Sequence, residues 1–399
     1  MTTYRSRSGR SYTIGKELKD GKGGEGTVYT VEDNDNIVIK LYHPDAPANT
    51  PQRRAALEKK LIAMIDDKDF NIFYDDGYLR FAWPSDLVYD QSGTLAGFVM
   101  PHVKNAHQFH ELKDEDYRQK FDNYDYLRSI AVSYNLAQTV KYVHEHGYVM
   151  GDMNIKNFMV DKMCRVIVLD TDSFDLSEKL SDPLCKCCVG QADFLAPELL
   201  NTKLNGPFAK FTRESDYFSL AVLIFQLLMD GHHPFGGNSI DSASDYSSSN
   251  DQNQEQINIA YGNCPYVREN TGKAIPSNAP DFNMLPAKLQ ALFRRTFCYD
   301  EHTGMQAIPQ RATAQEFLVE LNNFYKRSDK VVCAVKPWHI YLARMDGCPF
   351  CARDARYAAT QTHESEPAEP AVRIVVSASK PAPKTLLAKI AEWFKNLIN

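Results

Sequence analysis

The sequence predicts an α+β fold in which a strand-rich N-terminal part precedes a mainly helical part. Three observations support this prediction. A glycine-rich turn at residues 21–26 is flanked by β-favouring residues, and short apolar runs at 158–160 and 166–169 enclose a polar turn. Long apolar patterns at 124–146 and 218–229 have the length and spacing of buried helices.

The composition is typical of a soluble globular protein. The 399 residues are 43% hydrophobic and 24% charged. The net charge of −6 gives no overall basic surface for nucleic acid, so we expect no nucleic-acid partner. The first eight residues lack the apolar core of a signal peptide, and no window approaches the ~18 apolar residues of a membrane span. We therefore expect a cytoplasmic protein in which clustered cysteines favour metal over disulfides.

The N-terminal region contains a motif suited to phosphate binding. It fits G-x-G-x-x-G-x-V through Gly21, Gly23, Gly26 and Val28. Glycines let backbone N–H groups approach phosphate oxygens, although a plain glycine hairpin or a strand-to-helix turn are alternatives. The next apolar run carries Lys40, and a helix predicted over 51–65 contains a single acidic residue, Glu58, the candidate partner of Lys40.

Oxygen-bearing side chains gather at one end of the predicted hairpin. Asp152 and Asn157 precede its first strand, and Asp170 follows its second. One carboxylate can orient a hydroxyl, while an amide and a second carboxylate can hold Mg²⁺ against nucleotide phosphates. The arrangement suits phosphoryl transfer. The alternative interpretation of the same residues is an acidic hairpin on the protein surface with no catalytic role.

In this order and spacing, the motifs resemble those of the eukaryotic-like protein kinase family over most of residues 12–325. The match continues with Ala196-Pro197-Glu198, with Asp216, and with Arg311, which is expected to pair with Glu198. The resemblance implies a two-lobed kinase fold, with an N-terminal lobe at 1–101 and a C-terminal lobe at 102–328.

The resemblance also implies a site between the lobes for ATP. Lys40, held by Glu58, would contact the α and β phosphates under residues 21–28. Asp152 would orient the acceptor hydroxyl, and Asn157 with Asp170 would hold Mg²⁺. Three residues would form the adenine end, with Met100 as gatekeeper and the backbone near Pro101 and Val103 binding the base.

Three departures from the family pattern concern the catalytic residues. Met150-Gly151 replaces the usual His-Arg, Asn154 replaces a lysine, and Asp170-Thr-Asp172 replaces Asp-Phe-Gly. Asp172 is therefore a second candidate for the Mg²⁺ site, although the strand before Asp170 favours Asp170 as the main ligand. These loops are similar to those of a bacterial branch found beside a protein phosphatase and a von Willebrand A-type protein, which are the partners that the resemblance implies.

The resulting prediction is a serine/threonine protein kinase that transfers the γ-phosphate of ATP and phosphorylates itself. The alternative is a pseudokinase that binds nucleotide or acts as a scaffold. A small-molecule phosphotransferase is disfavoured by the Ala-Pro-Glu segment.

The C-terminal region carries a second set of candidate ligands. Cys333, His339, Cys348 and Cys351 predict a structural zinc site in a module at 329–356, with thiols packed in a small core as the alternative. The cysteines at 185, 187 and 188 are interpreted as packing thiols. A linker is predicted at 357–384, followed by an amphipathic helix at 385–399 that docks in a protein groove or on a membrane surface.

Overall fold

The computed structural model describes residues 2–44, 50–121, 124–200, 202, 209–239, 254–269, 271–299 and 308–364. The predicted tail helix at 385–399 lies outside these residues. One compact unit comprises Met1–Tyr357. Where a linker is predicted to begin, at residue 357, the chain is instead helical, and the helix continues to Glu364.

The N-terminal strands form a closed antiparallel barrel in the order β1-β2-β3-β4-β6-β5. Its strands are β1 (Thr3–Ser6), β2 (Ser11–Lys22), β3 (Gly26–Val31), β4 (Asn34–Tyr42), β5 (Asp86–Tyr89) and β6 (Leu95–Pro101). Apolar residues on alternate positions fill one face of the sheet, where Ile39 of β4 packs with Val88 and Val99. The pairing of β1 with β5 closes the barrel and was not predicted from the sequence.

Helix α1 (Pro51–Asp66) agrees with the helix predicted over 51–65. The Thr50 side chain accepts a hydrogen bond from the backbone N–H of Arg53, and Pro51 occupies the first turn. The buried face of α1 includes Leu61 and Met64, so burial of this face stabilises the helix on the barrel.

The C-terminal lobe is mainly helical, and both of its predicted long helices are present. Its helices are α2 (Glu115–Lys120), α3 (Tyr126–Glu145), α4 (Pro197–Leu200), α5 (Arg213–Leu228), α6 (Gln254–Tyr261), α7 (Ala287–Phe297) and α8 (Ala314–Lys326). Helices α3, α5 and α8 pack together around one apolar core. Asp125, Thr212 and Thr313 cap α3, α5 and α8 through their side chains.

Two small sheets complete this lobe. The predicted hairpin is present as β8 (Phe158–Asp161) and β9 (Val166–Val168), with β7 (Ala106–Gln108) on the other side of β8. A two-stranded sheet joins β10 (Asn238–Ser239) and β11 (Lys273–Ala274). Since β8 and β9 are antiparallel, the segment before β8 and the segment after β9 meet at one edge.

A hairpin and a helix follow α8. Strands β12 (Lys330–Val332) and β13 (Ile340–Leu342) pair antiparallel, and α9 (Pro349–Glu364) comes next. Within the described residues, no helix is both long enough and apolar enough to cross a bilayer.

Candidate active site

Lys40 lies in β4 with its ammonium group buried against two carboxylates. Its Nζ donates to Oδ1 of Asp170, and to Oδ1 and Oδ2 of Asp172 at 2.8 and 2.9 Å. The hydroxyl of Tyr42 donates to Oδ2 of Asp172 at 2.8 Å. Burial alone would lower the pKa of Lys40, but the charges of the two aspartates raise it, so the lysine stays protonated.

The two aspartates differ in their access to the cleft. Asp170 follows β9 in the left-handed region, at φ 51°, and starts a short 3₁₀ turn. The side chain of Asp170 is 28% exposed, whereas that of Asp172 is 2% exposed. Burial, together with the nearby charge of Asp172, raises the pKa of Asp170 to about 6 despite Lys40. Burial opposes ionisation of Asp172 too, but Lys40 and Tyr42 outweigh it and lower its pKa.

The loop before β8 holds Asp152 and Asn157 against each other. The Nδ2 group of Asn157 donates to the backbone oxygen of Asp152 at 2.8 Å and to its Oδ2 at 3.3 Å. Oδ1 of Asp152 accepts from Nδ2 of Asn154 at 2.9 Å and from the backbone N–H of Gln191 at 3.1 Å. Because the Asn157 amide nitrogen is used internally, its Oδ1 is the atom suited to a cation.

The glycine-rich motif is a turn between β2 and β3, as predicted, in which the N–H of Gly23 donates to the backbone oxygen of Gly26 at 2.8 Å. A Cβ at Gly26 would lie 2.5 Å from the carbonyl oxygen of Leu41, so the strands approach too closely for a side chain there. In the β3–β4 register Val28 lies opposite Lys40, which places the motif next to the lysine.

The predicted adenine end lies on β6 and just beyond it. Met100 is 9% exposed and packs in the main core, and Pro101 is the last residue of β6. Val103 is half-buried beside the same core. These positions connect the barrel to the helical lobe.

The predicted pairing of Glu58 with Lys40 is wrong. Glu58 lies on α1, but its Oε1 accepts from the hydroxyl of Tyr89 on β5 at 2.8 Å. The carboxylates on Lys40 belong to Asp170 and Asp172. Helix α1 instead contacts the segment after β9 through Lys60, whose buried Nζ donates to the backbone oxygen of Phe174 at 3.1 Å.

Asp216 on α5 fixes the backbone of the loop before β8 that carries Asp152 and Asn157, here called the catalytic loop. Its fully buried carboxylate accepts from the N–H of Met150 at 2.7 Å and from that of Gly151 at 3.0 Å. Nε2 of His144 lies 2.8 Å from Oδ2 of Asp216. His144, near the end of α3, thus supports the carboxylate of Asp216.

The predicted Arg311–Glu198 pair is confirmed. Two guanidinium nitrogens of Arg311 donate to the two carboxylate oxygens of Glu198, both at 2.7 Å. The Arg311 side chain is 1% exposed, so this bidentate pair is desolvated. The pair joins the residues that precede α8 to the end of the segment between Asp170 and Glu198, here called the activation segment.

Gly151 stands at the position where the kinase resemblance leads one to expect an arginine, and it is closely surrounded by other residues. Gly151 has φ 75°, and a Cβ there would lie 2.7 Å from Sγ of Cys187 and 3.6 Å from the ring of Phe211. Cys187 is buried, as is Cys185, which agrees with their interpretation as packing thiols, whereas Cys188 is half-buried. The segment thus contacts the catalytic loop through a buried thiol at this position.

We expect Gly151→Ala to lower the free energy of unfolding by about 2–4 kcal/mol, because it combines positive-φ strain with the Cys187 clash. Gly147→Ala is the matched control. Gly147 has φ 79°, but a Cβ there meets only Lys179 Cδ at 3.9 Å. The control should lose about 1 kcal/mol from backbone strain alone. Urea unfolding of both variants measures the difference, and equal losses would show that the Cys187 contact does not constrain residue 151.

The predicted metal ligands of the C-terminal region come together. The ligand atoms of Cys333, His339, Cys348 and Cys351 all lie within 4.8 Å of one another. Sγ of Cys333 lies 3.6 Å from Sγ of Cys351, and Nδ1 of His339 lies 3.6 Å from Sγ of both Cys348 and Cys351. A tetrahedral zinc with ordinary bond lengths sets its ligands about 3.7 Å apart, so the four residues fit this ion.

The outer side of His339 faces a carboxylate of the C-terminal lobe. Its Nε2 lies 3.7 Å from Oε1 of Glu115 on α2. Glu115 also accepts from Lys336 at 2.8 Å, from Trp338 Nε1 at 3.1 Å and from Arg353 at 3.1 Å. The pKa of Glu115 is well below its usual value because of His339, Lys336 and Trp338. This carboxylate joins the Cys/His cluster to the lobe.

Comparison with known proteins agrees with this geometry. The family model described as protein kinase domain matches residues 12–319. The chain belongs to the protein kinase family. Protein kinase YegI of Escherichia coli strain K12 is 31% identical over 353 residues, with 87% of this chain and 49% of YegI covered. Kinase suppressor of Ras B of Caenorhabditis elegans is 23% identical over 223 residues, with 53% of this chain and 38% of that protein covered.

YegI of Escherichia coli O157:H7 gives a similar result, with 31% identity over 358 residues that cover 88% of this chain and 50% of YegI. The chain thus spans about half the length of the YegI proteins it matches.

Sequence reasoning missed three residues of the kinase site and its surroundings. Tyr42 follows Lys40 by two residues, so the period of two in a strand puts both side chains on one face of β4. This spacing could have predicted that Tyr42 lies beside the lysine. Tyr89 and Glu115 had no such signal, since their contacts with Glu58 and His339 span 31 and 224 residues of chain.

Proposed function

We propose that the kinase is active and transfers the γ-phosphoryl group of ATP to serine or threonine hydroxyls, including its own. The observation that carries this proposal is the convergence of Lys40, Asp152, Asn157 and Asp170 at one edge of the β8–β9 hairpin and on the facing strand β4. A cation, two carboxylates and an amide in one cleft are the groups that phosphoryl transfer needs.

Each side chain has a role that follows from its surroundings. The protonated Lys40 would bind phosphate oxygens of ATP under the glycine-rich turn. Asp152, oriented by Asn154, Asn157 and Gln191, would accept a hydrogen bond from the acceptor hydroxyl. Oδ1 of Asn157 and the part-exposed carboxylate of Asp170 would hold Mg²⁺, which supplies charge neutralisation at the phosphates when bound.

The test is phosphoryl transfer itself. Purified kinase is incubated with Mg²⁺ and radiolabelled ATP, with and without a generic basic protein as acceptor. We expect label on serine and threonine of the kinase and of the acceptor, as seen by phosphoamino acid analysis. Nucleotide binding without transfer would support the pseudokinase alternative, and label on tyrosine alone would refute the proposed specificity.

We propose further that the Cys/His cluster holds a structural Zn²⁺. Four protein ligands leave no open coordination position, so the ion would contribute to folding rather than to catalysis. A protein phosphatase and a von Willebrand A-type protein remain the partners proposed for the kinase from its resemblance to the bacterial branch. We also propose a cytoplasmic location. The C-terminal residues 385–399 are proposed to dock in a protein groove or on a membrane surface.

A further inference from the structure

Lys40 and Asp172 form a buried ion pair. Asp172 uses both carboxylate oxygens on Lys40 Nζ, at 2.8 and 2.9 Å. The side chain of Lys40 is 9% exposed and that of Asp172 is 2% exposed. Burial of both partners strengthens their attraction and makes either one costly to leave alone.

The turn that presents Asp172 is fixed from both ends. Oγ1 of Thr171 donates to the backbone oxygen of Ala82 at 2.9 Å, and Oγ of Ser173 donates to the backbone oxygen of Asp170 at 2.7 Å. All three residues from Thr171 to Ser173 are buried. The Asp172 carboxylate is therefore preorganised by the backbone of the activation segment.

Tyr42 holds the other side of the same carboxylate. Its hydroxyl donates to Oδ2 of Asp172 at 2.8 Å. Residues 40 and 42 alternate with residue 41 along β4, so both side chains point to the cleft face. Asp172 thus receives three hydrogen bonds, two from the lysine and one from the tyrosine.

Helix α1 takes no part in holding the lysine. Its two carboxylates bind elsewhere: Glu58 accepts from Tyr89, and Asp66 pairs with Arg7. The contacts of the helix with the activation segment include Lys60 with the Phe174 backbone oxygen at 3.1 Å, Lys59 with Asp182 at 2.5 Å, and the Ala56 backbone oxygen with Cys185 Sγ at 3.6 Å.

We propose that Asp172, supported by Tyr42, is the positioning residue for Lys40, in place of a carboxylate on helix α1. Asp170, which is more exposed, is then left for Mg²⁺, and Asp172 remains as the counter-ion of Lys40 when Asp170 turns to the metal. This assignment differs from the Mg²⁺ role predicted for Asp172 from the sequence. It also couples the position of the lysine to the turn at 171–173 rather than to the position of α1.

This inference rests on the proposed phosphotransfer, so wild-type activity is measured first and its absence refutes both. Steady-state rates are then compared for Asp172→Asn, Tyr42→Phe and the control Glu58→Gln. We expect Asp172→Asn to lower kcat/KM about 10- to 100-fold, because a charged hydrogen-bonded partner of Lys40 is lost. Tyr42→Phe should lose about threefold, and Glu58→Gln should stay within about twofold.

Two readouts separate lysine positioning from metal binding and from general destabilisation. The Mg²⁺ concentration for half-maximal rate should stay at the wild-type value in Asp172→Asn and rise in Asp170→Asn. In a Lys40→Ala background, adding Asp172→Asn should cost almost nothing further, because the aspartate acts through the lysine.

Three outcomes would overturn the inference in an active kinase. The first is a raised Mg²⁺ requirement in Asp172→Asn, which would make Asp172 a metal ligand. The second is additive losses in the double mutant. The third is a larger loss in Glu58→Gln than in Asp172→Asn, which would restore the helix carboxylate as the partner of Lys40.

Discussion

Asp152→Ala is expected to reduce kcat for phosphoryl transfer about 10³-fold, the range for a residue that orients a nucleophile and accepts its proton. Affinity for Mg²⁺–ATP should change by less than about threefold, because the proposed role of this carboxylate is toward the acceptor hydroxyl. Asn157, the proposed Mg²⁺ ligand, keeps its shorter hydrogen bond, which goes to the backbone oxygen of residue 152 at 2.8 Å. Radiolabel transfer measures the first effect, and calorimetric titration with Mg²⁺–ATP measures the second.

Asp193→Ala is the matched control for charge. Asp193 also lies on the activation segment, where its Oδ1 accepts from Gln256 at 3.0 Å. Its loss should leave kcat within about twofold of wild type. If Asp152→Ala transfers phosphate as fast as the control, Asp152 has no catalytic role. If Asp152→Ala loses nucleotide binding together with transfer, the substitution has disrupted the fold of the loop.

The parts of the fold that depend on local pattern were predictable. The apolar spacing of 51–65 and of 124–146 reflects the buried faces of α1 and α3, and each helix begins at a capping side chain, Thr50 or Asp125. The β8–β9 hairpin follows from two short apolar runs separated by a polar turn. The Arg311–Glu198 pair was found through the resemblance to the kinase family, because its partners are 113 residues apart.

The pairing of charged side chains in the site could not be predicted from the sequence pattern, because several carboxylates and hydroxyls are chemically equivalent as partners. From the sequence, Glu58 on the helix was the candidate partner of Lys40, and Asp170 and Asp172 were assigned to Mg²⁺. In the structure the 171–173 turn brings Asp172 to the lysine, while Tyr89 takes Glu58. The absence of an arginine before Asp152 was visible in the sequence, but its physical counterpart, Cys187 against Gly151, appears only when the segment is folded.

Removal of zinc is expected to have the largest effect on stability. Purified kinase should contain about one zinc per chain, and chelation should lower its melting temperature by at least ~10 °C, because the free energy of metal binding is also free energy of folding. The hairpin β12–β13 has three residues per strand, too few to be stable alone. The Cys/His cluster is linked to the C-terminal lobe through His339 and Glu115, so the loss should extend beyond the hairpin.

Cys351→Ser and Cys298→Ser provide the matched comparison. Cys351 lies 3.6 Å from both Cys333 Sγ and His339 Nδ1, whereas Cys298 is exposed after α7. The first substitution should remove most of the zinc and lower the melting temperature as chelation does, and the second should change neither. A kinase that contains no zinc by elemental analysis, and whose melting temperature is unaffected by chelator, would show instead that the four side chains pack as a metal-free core. Since three of the ligand-to-ligand distances are 3.6 Å, close to the edge of a zinc tetrahedron, we expect the metal-bound result.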